Sequence, residues 1–97
     1  LSEMLAVIKD LGTRKDEVRD YIDLMVLWYR DVLLFKATKD INQLLFQDEA
    51  SYISREASHR SYEKIEEILQ AFEKAKVRLR ANVNFDITME LMLLALK

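Results

Sequence analysis

Of the side chains that do acid–base, nucleophilic or metal chemistry, this chain has one histidine and no cysteine, and the spacing of its carboxylates does not suit that chemistry. His59 is the only histidine. It lies in the polar run Ser58, His59, Arg60, Ser61, and with no cysteine anywhere it has no second soft or imidazole donor for sharing a metal. It reads as a surface histidine. The adjacent carboxylates Asp48-Glu49 and Glu66-Glu67 would point about 100° apart on a helix, too divergent for a close acid/base pair. A phosphate-binding loop needs several glycines so that backbone amides can approach the anion, and only Gly12 exists. The expectation is no catalytic residue, no cofactor, no metal and no small-molecule substrate.

Binding chemistry is better represented. Lys74, Lys76, Arg78 and Arg80 form a basic group, but Glu63, Glu66, Glu67 and Glu73 share the same segment, so an ordinary charged helix face is expected. Trp28, Tyr29 and Arg30 are residue types favoured at interface hot spots, while core filling is the favoured reading for Trp28 and an open alternative for Tyr29. The segment 85–96 is the most informative. Nine of its twelve residues are apolar, and Asp86, Thr88 and Glu90 are too few for a broad solvated face. A helix this apolar needs cover on several sides, which one small domain does not supply, so a partner surface is expected.

The elements carrying these residues read as helices. In 97 residues there is no proline and one glycine, where average usage gives roughly five and seven. Met4, Leu5, Ile8 and Leu11 predict a short helix behind Ser2, closed by Gly12. After Thr13 a long helix runs to about Lys36, with Val18, Ile22, Met25, Tyr29 and Val32 as one seam and Tyr21, Leu24, Trp28 and Phe35 beside it. Residues 37–47 read as a packed connection. Asp48 then caps a helix to about Ala57, and Ser61 caps a fourth helix with Tyr62, Ile65, Ile68, Leu69, Phe72, Ala75 and Leu79 inward. In the last segment Phe85, Ile87, Met89 and Leu91 alternate as in a strand. No pairing strand offers itself, and Asn84 suits a helix cap, so helix is expected. The fold class is all-α, a single small bundle of about five helices.

Charge is nearly balanced, 15 Lys plus Arg against 17 Asp plus Glu, which gives no general pull toward nucleic acid or an anionic membrane. No apolar run approaches the roughly 20 residues that cross a bilayer, and the first residues lack a signal-peptide order. The chain opens on Leu1 and is expected to be a C-terminal fragment of a longer protein.

Two stretches carry a resemblance. Trp28-Tyr29-Arg30-Asp31 with Val32-Leu33-Leu34-Phe35-Lys36, and later Leu79-Arg80-Ala81-Asn82-Val83-Asn84 with Met89-Glu90-Leu91-Met92-Leu93-Leu94, resemble the C-terminal domain of the bacterial DNA polymerase III delta-prime subunit. The resemblance spans about residues 18–96; Phe85 stands where the family often has proline. It implies that residues 1–97 form a helical oligomerisation domain in the collar of the pentameric clamp loader, which loads the sliding clamp in DNA replication. ATP-handling modules would lie N-terminal to it. The implied partners are other clamp-loader subunits, bound through their own C-terminal helical domains. DNA is reached only through the assembled complex, no membrane is involved, and the setting is the bacterial cytoplasm with its nucleoid-associated replication machinery. Candidate interface residues are Trp28, Tyr29, Arg30, Phe35, Leu91, Met92 and Leu94, with Asn82 and Asn84 as helix-capping motif residues. Three alternatives stay open: the similar end domain of the delta subunit, a stand-alone helical adaptor or homodimer, and a nucleic-acid binder using Arg55, Arg60, Lys76 and Arg80.

Overall fold

The computed structural model describes residues 15–97. Among them are four α-helices, α1 (Lys15–Thr38), α2 (Ala50–His59), α3 (Tyr62–Arg80) and α4 (Phe85–Ala95), with 3-10 turns at Ile41–Gln43 and Gln47–Glu49 and no strand. The fold is all-α. The helix expected over 4–11, with Ser2, Gly12 and Thr13 around it, lies outside the described residues.

The predicted seam of α1 is the core: Val18, Ile22, Met25, Tyr29 and Val32 are all buried. Asp16 and Glu17 in its first turn and Lys36 in its last complement the helix dipole. α1 packs on α2 and α3, and α3 in turn packs on α4. Tyr29 lies at the centre, edge-on to Trp28 at 5.2 Å and tilted against Phe72 at 5.7 Å.

The connection after α1 is packed, as expected, and its packing has a polar fastening. Lys39 adopts φ 58° and closes the helix, its N–H donating to the Phe35 carbonyl at 2.8 Å. Asp40 then caps the first 3-10 turn by accepting from the Asn42 N–H at 3.0 Å. Asp31 is buried on α1, and its two carboxylate oxygens accept the backbone N–H groups of Leu45 at 3.2 Å and Phe46 at 2.8 Å. Asp48 does not cap α2. It sits inside the second 3-10 turn, which ends at Glu49, the residue that precedes α2 and makes no side-chain cap. The 3-10 turn supplies the backbone geometry that a side-chain cap would otherwise stabilise.

Ser61 caps α3 through the Lys64 N–H at 3.1 Å, and Ile65, Ile68, Phe72, Ala75 and Leu79 are buried along one face. Tyr62, expected inward, is instead exposed, its ring 5.1 Å from the Lys36 ammonium. At the first helical position its side chain reaches back over α1 rather than under the bundle. At the other end Asn82 takes φ 57°, with Val83 N–H donating to Arg78 O at 3.0 Å and Asn82 N–H to Leu79 O at 3.3 Å. These two bonds make a Schellman closure, in which asparagine tolerates the left-handed backbone better than most residues. Asn84 then opens α4, accepting the Ile87 N–H at 3.1 Å.

Replacing the α4 cap, Asn84→Ala, should lower unfolding stability by about 1 kcal/mol. Chemical denaturation read by helical circular dichroism checks this; an unchanged midpoint would mean that the cap does not matter.

Candidate interface between subunits

α4 has apolar residues on both of its long faces. Toward α3 it buries Thr88, Met89, Met92 and, just beyond its end, Leu96. On the far side Ile87, Leu91 and Leu94 fall at i, i+4 and i+7 and remain 52%, 43% and 57% exposed. Asp86 and Glu90, one turn apart, are exposed along one edge of that row. Apolar side chains spaced to form one continuous stripe on the outside of a helix make a surface suited to another protein.

The placement of α4 depends on a hydrogen-bond network that begins in the core. The Tyr29 hydroxyl donates to Glu56 Oε2 at 3.1 Å, and the Arg60 Nε donates to the same oxygen at 2.6 Å. Arg60 Nη2 also donates to the Leu96 carbonyl at 2.8 Å, one of the orphan acceptors at the end of α4. Burial pushes the Tyr29 phenol above its ordinary pKa, and the nearby Glu56 charge adds to that. Asn84 holds the start of α4 and Arg60 its end. Between them Thr88, fully buried, donates its hydroxyl proton to the Asn84 carbonyl at 2.9 Å.

The residues proposed as interface on sequence grounds separate into two groups. Leu91, Leu94 and Arg30 are exposed, and Phe35 is half-buried. Trp28, Tyr29 and Met92 are enclosed by their own chain and are core residues, so as surface contacts they are corrected. Their positions follow from α1 and α4 each carrying apolar residues on more than one side: periodicity identifies the helices without telling the inner face from the outer. Ile87 was missed, although its place four residues before Leu91 was available as a signal. Arg30 borders a shallow groove between α1 and α3, with Val26, Leu69 and Lys74.

The alternative nucleic-acid set is largely engaged elsewhere. Arg60 belongs to the network above. Lys76 is paired with Asp23 at 2.6 Å and Glu73 at 3.4 Å, and the hydrogen bond to Asp23 raises its ammonium pKa. Arg55 lies over the Tyr52 ring at 6.0 Å, while Arg80 is exposed at the end of α3. His59, Glu66 and Glu67 are exposed, with Glu67 paired to Lys64 at 3.4 Å. Among the described residues no group of three His, Asp or Glu side chains is placed to hold a metal, and no helix is long and apolar enough to cross a membrane.

The family model described as DNA polymerase III, delta subunit, C terminal matches residues 2–97. No curated protein and no solved structure matches the chain.

The Tyr29 network predicts a pH dependence. The unfolded phenol loses its proton near pH 10, while the folded one keeps it to higher pH. Above about pH 10 the folded state therefore binds more protons, and stability falls as pH rises. Tyr29→Phe should cost about 1 kcal/mol at neutral pH, from the lost hydroxyl bond to Glu56. It should also flatten the alkaline decline in the urea midpoint; a decline as steep as wild type's would place its origin elsewhere.

Proposed function

We propose an assembly role for this chain, which belongs to the family of C-terminal domains of the DNA polymerase III delta subunit. It acts as a non-catalytic helical domain of a clamp-loader protein, holding neighbouring subunits together in the collar of the complex. The observation that carries this reading is the row Ile87, Leu91 and Leu94 on the outside of α4, an apolar surface left uncovered after the core has closed. Such a row supplies the apolar centre of a contact between subunits, with Asp86 and Glu90 as part of its polar rim.

Within the family, the description names the delta subunit, while the runs 79–84 and 89–94 of this chain resemble delta-prime. The delta-prime assignment is the finer half of the proposal and rests on that resemblance. The role is mechanical. ATP handling belongs to other modules of the loader, the partners are the C-terminal helical domains of sister subunits, and DNA is reached through the assembled complex in the bacterial cytoplasm. The engagement of Arg60 and Lys76 in intramolecular pairs supports this indirect relation to DNA.

Leu91→Asp and Leu94→Asp place a carboxylate in the middle of the proposed contact. Each should weaken binding to a sister subunit at least thirtyfold, about 2 kcal/mol. Helicity and thermal midpoint should stay close to wild type, because both side chains point outward. Titration against each separately purified loader subunit reads the effect. Failure of the unmodified chain to bind any of them, or a tight self-dimer at nanomolar concentration, would remove the assembly reading.

A further inference from the structure

A second surface lies on the connection between α1 and α2. Leu45 is 70% exposed, the largest value among the exposed large hydrophobic residues described, and Ile41 four positions earlier is 47% exposed. Scattered exposed leucines are ordinary and need no explanation. This one is different because the backbone carrying it is held so firmly. Leu44 has extended geometry, φ −79° and ψ 145°, so successive side chains alternate in direction. Leu44 is buried and Phe46 is packed against the core, which leaves Leu45 facing out. The buried Asp31 carboxylate accepts the N–H groups of both Leu45 and Phe46. Asp40 ties Asn42 and Gln43, and the Gln47 amide donates to the Asn42 carbonyl at 3.2 Å. A desolvated carboxylate is a large commitment for a short connection, and its effect here is to fix the backbone that carries an exposed apolar side chain.

The surroundings indicate what would cover it. Asp48 and Glu49, in the 3-10 turn directly after, are exposed, and their side-chain carboxylates have no hydrogen-bond or ion-pair partner among the described residues. These carboxylates repel a nucleic-acid backbone or an anionic lipid surface. They suit a protein surface bearing lysine or arginine. We propose that Ile41 and Leu45 form a preformed knob that inserts into an apolar cleft on a neighbouring protein subunit, with basic residues on the cleft rim meeting Asp48 and Glu49. Fixing the knob in advance reduces the ordering entropy lost on binding. The knob is distinct from the α4 row; it rests on the assembly reading for the kind of partner, a sister subunit of the loader.

The test titrates each separately purified clamp-loader subunit against wild type, Leu45→Asp, Leu91→Asp and the double variant Asp48→Lys/Glu49→Lys. Leu45→Asp should lose at least tenfold in affinity for one subunit, while binding of the subunit that depends on Leu91 stays within twofold. The double charge reversal should weaken the Leu45-dependent contact and reduce its salt dependence. Asp31→Asn, with Leu45 intact, should weaken that contact too by freeing the connection. Near-ultraviolet circular dichroism confirms that each variant keeps its core. If Leu45→Asp binds every subunit within twofold of wild type while Leu91→Asp fails, the knob is overturned and the assembly reading stands. If wild type binds no subunit, both are overturned, and self-association that depends on Leu45 would likewise overturn the knob's assignment to a sister subunit.

Discussion

One carboxylate oxygen, Oε2 of Glu56, organises the polar interior of this bundle. It accepts both the Tyr29 hydroxyl and the Arg60 guanidinium, at 3.1 and 2.6 Å. A half-buried carboxylate without a cation would be strongly destabilising. Arg60 supplies the cation and then uses its remaining donors on Leu96, 36 positions away. Residues from α1, α2 and the end of α4 are thereby joined in a single chain of hydrogen bonds. With eleven residues, α4 is too short to be stable alone in water, and its direct packing is against α3. The network gives it a second point of attachment.

That attachment also settles which side of α4 faces out. Met89 and Met92 lie on one side of the helix, Ile87, Leu91 and Leu94 on the other, so rolling the helix about its axis would exchange one apolar set for another. Burial alone discriminates weakly between the two orientations. One polar contact discriminates strongly. The Leu96 carbonyl must face Arg60, which lies at the end of α2, whereas the Thr88 hydroxyl bonds within α4 itself and turns with it. The Arg60 contact thus favours the orientation that leaves three large aliphatic residues exposed.

What the sequence revealed and what it concealed divide by distance along the chain. The caps of α3 and α4 were legible because Ser61 and Asn84 find their partners three residues on. The seam of α1 and the inner face of α3 were legible because they are periodic. The closure at Asn82 was marked by a residue type that accepts a positive φ. The start of α2 was misplaced at Asp48 because a 3-10 turn and a side-chain cap leave the same acidic signature. Arg60 and Lys76 each have a carboxylate one turn earlier, Glu56 and Glu73, but their other partners, Leu96 and Asp23, lie 36 and 53 positions away, and no local pattern announces a pairing of that span. Trp28, Tyr29 and Met92 belong to helices apolar on several sides, where residue type alone does not tell anchor from core. With those three buried, the exposed apolar residues of α4 are Ile87, Leu91 and Leu94.

The shape of that row bears on the kind of partner it suits. Its acidic edge lies on one side only, formed by Asp86 and Glu90. If two copies met face to face with α4 helices antiparallel, a two-fold axis would bring each acidic edge against its own counterpart, and like charges would oppose the contact. If they met with the helices parallel, the two N-termini and their positive dipole ends would lie side by side, which is also unfavourable. Neither penalty arises with an unlike helix bearing basic residues along the matching flank. The one-sided charge therefore favours a heterologous contact over a self-pair, the geometry required of a subunit that occupies a defined place among different neighbours.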